Sequence, residues 1–389
     1  MSIRGKAQIV GAFEHPTRFA PDTSLAQLHA EVALGALADA GLHKNDIDGV
    51  FCDSDAPGSG ALSLCEYLGL KPRHMDSTET GGSSYIAHVS HAAQAIAAGK
   101  CSVALITLAG RPKAAGMATG TVARPYDHDD PSQQFEAPYR GVIANLYAMC
   151  ARRHMHAFGT TSEQLAWIKV AASHHAQHNP HAVLRKVVTV DEVLASPLVA
   201  DPLHRLDCCV ISDGGGALIV ARPEVARSLR VPAVVVLGAG EAPGHTNGGL
   251  PDLTTSAGAI TGPLAFREAG LTPRDIQYAS IYDSFTISVL IALEDLGFCA
   301  KGEGGRFVED GGLIAGRGRL PFNTDGGGLC NNHPANRGGM TKVIEAVRQL
   351  RGTAHPAVQV PGCRFALAHG TGGRLATRHG SATLILARE

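Results

Sequence analysis

Ala269-Gly270-Leu271-Thr272-Pro273-Arg274-Asp275-Ile276 reads as the end of a helix, a turn and the start of a strand. A glycine directly after an apolar-periodic stretch is the usual residue for closing a helix in the left-handed conformation. The same signature stands in the first half of the chain as Ala40-Gly41-Leu42, with Asp46-Ile47 at the same spacing. Each copy follows an amphipathic helical pattern and precedes a strand-like run. Further out, a helix expected over Ser84 to Ala98 and a strand over Ser102 to Ala109 are echoed by a helix from Met340 to Arg351 and a strand from Arg364 to Ala368. A duplicated half-molecule is the simplest account of these echoes.

Other elements follow from the same patterning. Strands are expected at residues 5–12, Ile47 to Cys52 and Ala217 to Ala221, and Val231 to Gly238 starts a fresh set of elements. Helices are expected over Ser24 to Ala40 and residues 61–69. Residues 111–200 break the alternation. They carry the run Arg124-Pro-Tyr-Asp-His-Asp-Asp-Pro and helices expected from Tyr139 to Phe158 and from Ser162 to Gln177. This stretch reads as an inserted loop domain. The halves are then residues 1–110 with 201–230, and residues 231–389.

Composition narrows the function. Hydrophobic residues make up 44% of the 389 and charged residues 18%, so the chain can bury a large core. The net charge is -1 and no basic block stands out, which argues against a nucleic-acid partner. No apolar run is long enough for a membrane span, and no secretory leader is recognised. Nine scattered cysteines without CxxC spacing fit a cytoplasmic setting. Abundant glycine and few aromatics fit an α/β enzyme.

The richest candidate for chemistry is Pro321 to Met340, with five glycines, two prolines and His333. Such a stretch excludes a regular helix and can bring backbone N–H groups and an imidazole to a ligand. The histidines at 154, 156, 174, 175 and 178 lack a metal-site pattern and read as a solvated helical surface, so no metal is expected. Asp325-Gly-Gly-Gly is not a phosphate loop, because no lysine follows at the needed position. Ser212-Asp213-Gly214 reads as a tight turn into a core strand.

Five stretches together resemble the thiolase superfamily, in particular its sterol-carrier and lipid-transfer thiolase-like branch. They are Gly81-Gly82-Ser83-Ser84 before a helix, Ser212-Asp-Gly-Gly-Gly-Ala before a strand, Tyr282-Asp283-Ser284-Phe285, Asn332-His333-Pro334, and His369-Gly-Thr-Gly-Gly. The resemblance implies an α/β thiolase-like fold, five-layered α/β/α/β/α, from two duplicated halves with an inserted loop domain. It also implies a homodimer or higher homo-oligomer, and an acyl-CoA thioester as substrate with no covalently bound cofactor. Relatives often pair with a small zinc-ribbon/OB-fold protein.

Residue by residue, the chain departs from the family's usual set. The nucleophilic cysteine position falls on Gly82, with Ser83 and Ser84 beside it. The Gly-His-Pro site keeps its histidine as His333, next to Asn332. The Asn-Glu-Ala-Phe site reads Tyr282-Asp283-Ser284-Phe285. The second cysteine falls on Ala368, beside His369. Thiolase-like aldolases of sterol side-chain breakdown carry a tyrosine matching Tyr282, and a second tyrosine where this chain has His333.

The expected catalytic set is therefore His333, Tyr282, Asp283 and His369, with Cys330 as a displaced nucleophile. The expected binding set is Gly82, Ser83, Ser84, Gly327, Asn332 and Gly370. Two functions remain open from the sequence. One is acyl-CoA carbon–carbon bond chemistry, retro-Claisen or retro-aldol, without the usual cysteine. The other is a non-catalytic acyl-CoA-binding or scaffold subunit.

Overall fold

The structure is a computed structural model that describes residues 2–53, 56–119, 129, 143–244, 252–334, 338–375 and 377–389. Its strands are β1 (Gln8–Glu14), β2 (Gly49–Cys52), β3 (His74–Ser77), β4 (Val103–Gly110), β5 (Leu198–Ala200), β6 (Leu203–His204), β7 (Gly214–Ala221), β8 (Val234–Gly244), β9 (Tyr278–Ile281), β10 (Phe365–Arg374) and β11 (Thr377–Arg388). The main helices are α1 (Leu25–Ala40), α2 (Ala61–Leu68), α3 (Ser84–Ala97), α4 (Ile143–Phe158), α5 (Ser162–Ala176), α6 (Gly258–Ala269), α7 (Thr286–Asp295) and α8 (Gly339–Arg351).

The duplication is visible in the pairing. The sheet runs β3-β2-β4-β7-β1-β8-β11-β10-β9. In the first half β1 and β4 each pair antiparallel with β7, and β2 pairs parallel with β4. In the second half β8 and β10 each pair antiparallel with β11, and β9 pairs parallel with β10. The two half-sheets are joined where Gln8 and Ile9 of β1 lie beside Val235 and Val234 of β8, with Gly5 and Ala7 bonded to Val236 just before.

The repeated helix stop is real in both places. Ser24 caps α1 by accepting from the Gln27 amide, and Gly41 closes it at φ 68°. Gly270 closes α6 at φ 65°. Both are left-handed positions that favour glycine.

Three apolar clusters define five layers. In the middle, Ile86 and Val89 of α3 and Met340 and Ile344 of α8 pack with Ile106 and Leu218 of the first half-sheet and Tyr278 and Leu384 of the second. Outside the first half-sheet, Val32 and Ala36 of α1 meet Val50, Leu105 and Ile219. Outside the second, Phe266 of α6 and Leu290 and Leu293 of α7 meet Ala279, Leu367 and Ile385. Each fully buried aliphatic side chain contributes about 1.5–3 kcal/mol. The middle layer, covered on both sides, is therefore what aligns the N-termini of α3 and α8.

Three readings need correction. Ser212-Asp213-Gly214 is not a tight turn: Ser212 and Asp213 lead straight into β7, which begins at Gly214 and not at Ala217. A Cβ on Gly216 would stand 2.6 Å from Ile344 Cδ1 and 2.9 Å from the Phe13 carbonyl, so the glycine lets α8 and β1 close on the strand. The glycine loop contains a one-turn helix, Gly327–Cys330, because Asp283 supplies its N-terminal capping from outside. Finally, His154 and His175 of the inserted segment are buried, not solvated. His154 sits between Thr160 Oγ1 (2.8 Å) and Glu294 Oε2 (3.0 Å), and His175 Nε2 accepts from the Ala315 amide (2.9 Å). Those faces of α4 and α5 pack on the second half instead of facing water. The expected helix start at Tyr139 and most of the Arg124–Pro131 run lie outside the described residues.

Candidate active site

Tyr282 follows β9 directly. Its amide donates to the His369 carbonyl (2.9 Å), which carries the β9–β10 pairing one residue further and fixes where the phenol points. His333 arrives from the glycine loop, its amide held by Ser212 Oγ (3.0 Å). The two side chains meet with Tyr282 Oη 2.6 Å from His333 Nε2 and ring centroids 5.4 Å apart. Both are buried. Burial pushes the imidazole down to about 4, so His333 is neutral at pH 7. Its Nδ1 is buried with no partner.

Gly82 lies against this pair. A Cβ there would stand 2.6 Å from two atoms of the Tyr282 ring and would also strike the Thr371 carbonyl. The tyrosine ring thus fills the space a side chain at position 82 would need. Ser83 and Ser84 are turned into the preceding bend. Ser83 Oγ donates to the Thr80 carbonyl (2.7 Å), and Ser84 Oγ accepts from the Thr80 amide (2.9 Å). A Cβ on Gly370 would meet Ile86 Cδ1 at 2.9 Å and the Gly82 carbonyl at 3.0 Å, so this glycine packs β10 against the same turn.

Asp283 faces the loop instead of a substrate space. Its Oδ1 accepts from the Gly328 amide (2.7 Å) and Lys342 Nζ (3.0 Å), and its Oδ2 from the Leu329 amide (3.1 Å). The carboxylate caps the one-turn helix and pairs with a buried ammonium. Burial opposes the charge on Lys342, but Asp283 together with Asp325 and Glu14 outweighs it and raises the amine above its usual range. Gly327 is what lets Asp283 approach, since a Cβ there would overlap Asp283 Oδ2.

Asn332 also works on the loop. Its Nδ2 donates to Glu14 Oε1, as do Asn331 Nδ2 (3.0 Å) and Arg18 Nη2 (2.6 Å). Arg348 Nη1 binds Glu14 Oε2 at 2.8 Å. Burial alone would raise Glu14, but Arg348 and Arg18 hold it down at about 2. Behind it, Glu345 is pushed up to about 7 by burial and by Asp325, against the pull of Arg348.

Two expected catalytic residues stand elsewhere. His369 sits inside β10, where side chains alternate between faces. Gly370 points to Gly82, whereas the His369 imidazole points the opposite way, to Thr383 Oγ1 (2.9 Å) and the start of α6 near Gly258. Cys330 is buried in the one-turn helix, and burial pushes its thiol up, away from the reactive thiolate. The structure therefore joins His333, Tyr282 and Gly82. It places Asp283, Gly327 and Asn332 behind the loop, and it keeps the His369 imidazole on the other sheet face. The sequence reading places Ser212 in a turn and a family stretch without a role at the site and passes over Glu14 and Lys342, because a hydroxyl or charge that supports a distant loop leaves no local pattern. Among the described residues no cluster of His, Cys, Asp and Glu could hold a metal ion.

The chain is similar to known proteins over most of its length. Residues 239–388 match the family described as Thiolase C-terminal domain-like. The chain is 34% identical over 362 residues to the acetyl-CoA acetyltransferase of Methanothermobacter thermautotrophicus, covering 90% of this chain and 92% of that one. It is 36% identical over 372 residues to the 17-hydroxy-3-oxo-4-pregnene-20-carboxyl-CoA lyase of Mycobacterium tuberculosis, covering 90% and 93%. The solved structure described as Ltp2-ChsH2(DUF35) aldolase superposes with a TM-score of 0.88 at 32% identity, covering 99% of this chain and 98% of that one. The chain belongs to the thiolase family. It is a thiolase-like enzyme of acyl-CoA carbon–carbon bond chemistry.

Proposed function

We propose that the chain cleaves a 3-hydroxyacyl-CoA by a retro-aldol reaction, with Tyr282 and His333 moving the proton. The observation that carries this reading is the 2.6 Å contact between Tyr282 Oη and His333 Nε2, with the Tyr282 ring filling the space over Gly82. A retro-Claisen route through an acyl-enzyme needs a thiolate at that place. A retro-aldol route does not.

The steps balance within the pair. Tyr282 Oη takes the proton of the substrate 3-hydroxyl as its own proton passes to His333 Nε2. The C2–C3 bond breaks, C3 becomes a carbonyl, and the electron pair moves to C2 and the thioester oxygen as an enolate. The proton held by the pair then returns to C2. In the tautomer that accepts from Tyr282 at Nε2, His333 carries its hydrogen on Nδ1. That atom is a buried donor without a partner, suited to the thioester oxygen. The products are a ketone or aldehyde and a shorter acyl-CoA.

The structural relative described with two names, Ltp2 and ChsH2(DUF35), supports a partner protein, and its being of the zinc-ribbon/OB-fold kind rests on the family resemblance. A homodimer is supported by β3, an edge strand with one unpaired side, near the exposed Tyr67 and Met75. A cytoplasmic setting is supported by nine cysteines that are all free. Among the described residues no helix is long and apolar enough to cross a membrane.

The test is product analysis. The purified chain, alone and co-expressed with its partner, is incubated with synthetic 3-hydroxyacyl-CoA esters branched at C3. Appearance of the carbonyl product and the shortened acyl-CoA in equal amounts supports the reading. Thiolysis of 3-ketoacyl-CoA with no cleavage of the 3-hydroxy ester would sink it.

A further inference from the structure

The one-turn helix Gly327–Cys330 stands three residues before His333, and both its ends are held by charges from other parts of the chain. Asp283 takes the amides of Gly328 and Leu329 at the N-terminal end. At the C-terminal end Lys169 Nζ donates to the Leu329 carbonyl at 2.6 Å. Lys169 belongs to α5 of the inserted segment and is 1% exposed. Among the described residues no carboxylate forms an ion pair with it. An ammonium taken out of water is expensive unless something offsets the loss. Here the offset is the carbonyl end of a helix, the end that favours a cation.

The neighbouring carbonyls are met from the same direction. The Gly328 carbonyl accepts from the Val210 amide (2.9 Å), that of Cys330 from Leu184 (2.9 Å) and that of Asn331 from Val183 (3.2 Å). Residues 169, 183 and 184 all lie in the stretch between β4 and β7. The insertion therefore reaches across the molecule and holds the peptide run that delivers His333.

We propose that Lys169 is a positioning residue for His333, and that the inserted segment is the jig that sets the Tyr282–His333 distance. It acts through the Leu329 carbonyl and touches neither substrate nor reacting atoms. The inference rests on the reading of His333 as the reaction centre, but its test needs no turnover, so the two fail separately.

The test compares the wild-type chain with Lys169→Met and Lys169→Arg by timed diethyl pyrocarbonate labelling, read by peptide mass at each histidine. His88, buried in α3 of the first half, is the internal control. Lys169→Met is expected to speed His333 labelling at least tenfold and leave His88 unchanged. Lys169→Arg, which keeps the charge, is expected to stay within twofold of wild type. Equal protection of His333 in Lys169→Met overturns the proposal. So does a parallel rise at His88, which would mean general loosening. Hydrogen exchange on the wild-type chain gives a second measure should Lys169→Met fail to fold. Amides 328–333 are expected to exchange at the rate of α5, and exchange more than tenfold faster than α5 overturns the proposal.

Discussion

Gly82 and Tyr282 compete for one space: a Cβ on the glycine would stand 2.6 Å from Cε2 and Cζ of the tyrosine ring. The helix terminus that holds a nucleophilic cysteine in the family pattern is here closed by an aromatic side chain and by the Thr371 carbonyl. Gly82→Cys is therefore expected to lose stability, by about 1–3 kcal/mol for an overpacked core position. It is also expected to gain no acyl adduct on incubation with an acyl-CoA. Chemical denaturation and intact mass read the two halves of this prediction. A stable variant that acylates readily would show that the space is open.

Cys330→Ala tests the displaced nucleophile. The thiol is buried and its ionisation is disfavoured. Activity is expected to stay within twofold, and stability to fall by about 1 kcal/mol, the order for a small buried group. Loss of activity in a stably folded Cys330→Ala would restore the thiol to the mechanism.

Protonation of His333 gives a pH signature. Its folded pKa is about 4 and the ordinary value is 6.5. Between those values the unfolded chain binds the extra proton and the folded chain does not, so stability rises with pH across that window. The contribution is on the order of 3 kcal/mol. His333→Asn is expected to flatten this part of the stability–pH curve without removing it, since His88, His175 and His379 are also pushed down to about 4 by burial. An unchanged slope would contradict a neutral buried His333.

Glu345 works with the opposite sign. Its folded pKa is raised to about 7 from 4.5. The folded chain holds the extra proton between those values, so this group's stabilisation is present at low pH and is lost as pH rises to about 7. Glu345→Gln keeps the acceptor for Thr324 Oγ1 and cannot ionise. Its stability relative to wild type is expected to improve steadily from pH 4.5 to 7 and then level off. A difference that does not vary with pH would show that folding leaves the Glu345 pKa unshifted.

Much of the architecture was legible because it is written locally. Gly41 and Gly270 mark helix ends through their own backbone conformation, and the periodicity of α1, α3 and α8 marks their buried faces. Tyr282 and His333 were legible through the family pattern. What was not legible depends on approach through space. Asp283 follows Tyr282 in sequence and so looked like a proton carrier, yet it caps a helix about forty-five positions later. His369 stands beside the second cysteine position, but strand alternation turns its ring to the other face. Lys169 sits in α5, whose patterning is weak because nearly every side of that helix finds protein to cover it, and His154 sits on the covered face of α4, where a histidine carries no apolar signal.

The central claim is that the Tyr282 hydroxyl carries the proton. The most direct measurement is the steady-state kinetics of Tyr282→Phe on a 3-hydroxyacyl-CoA that the wild-type chain cleaves. Phenylalanine keeps the ring over Gly82 and removes only the hydroxyl that meets His333. The kcat is expected to fall by about 10²–10⁴, the usual worth of a positioned acid or base, while KM changes little. A kcat within threefold of wild type would contradict it.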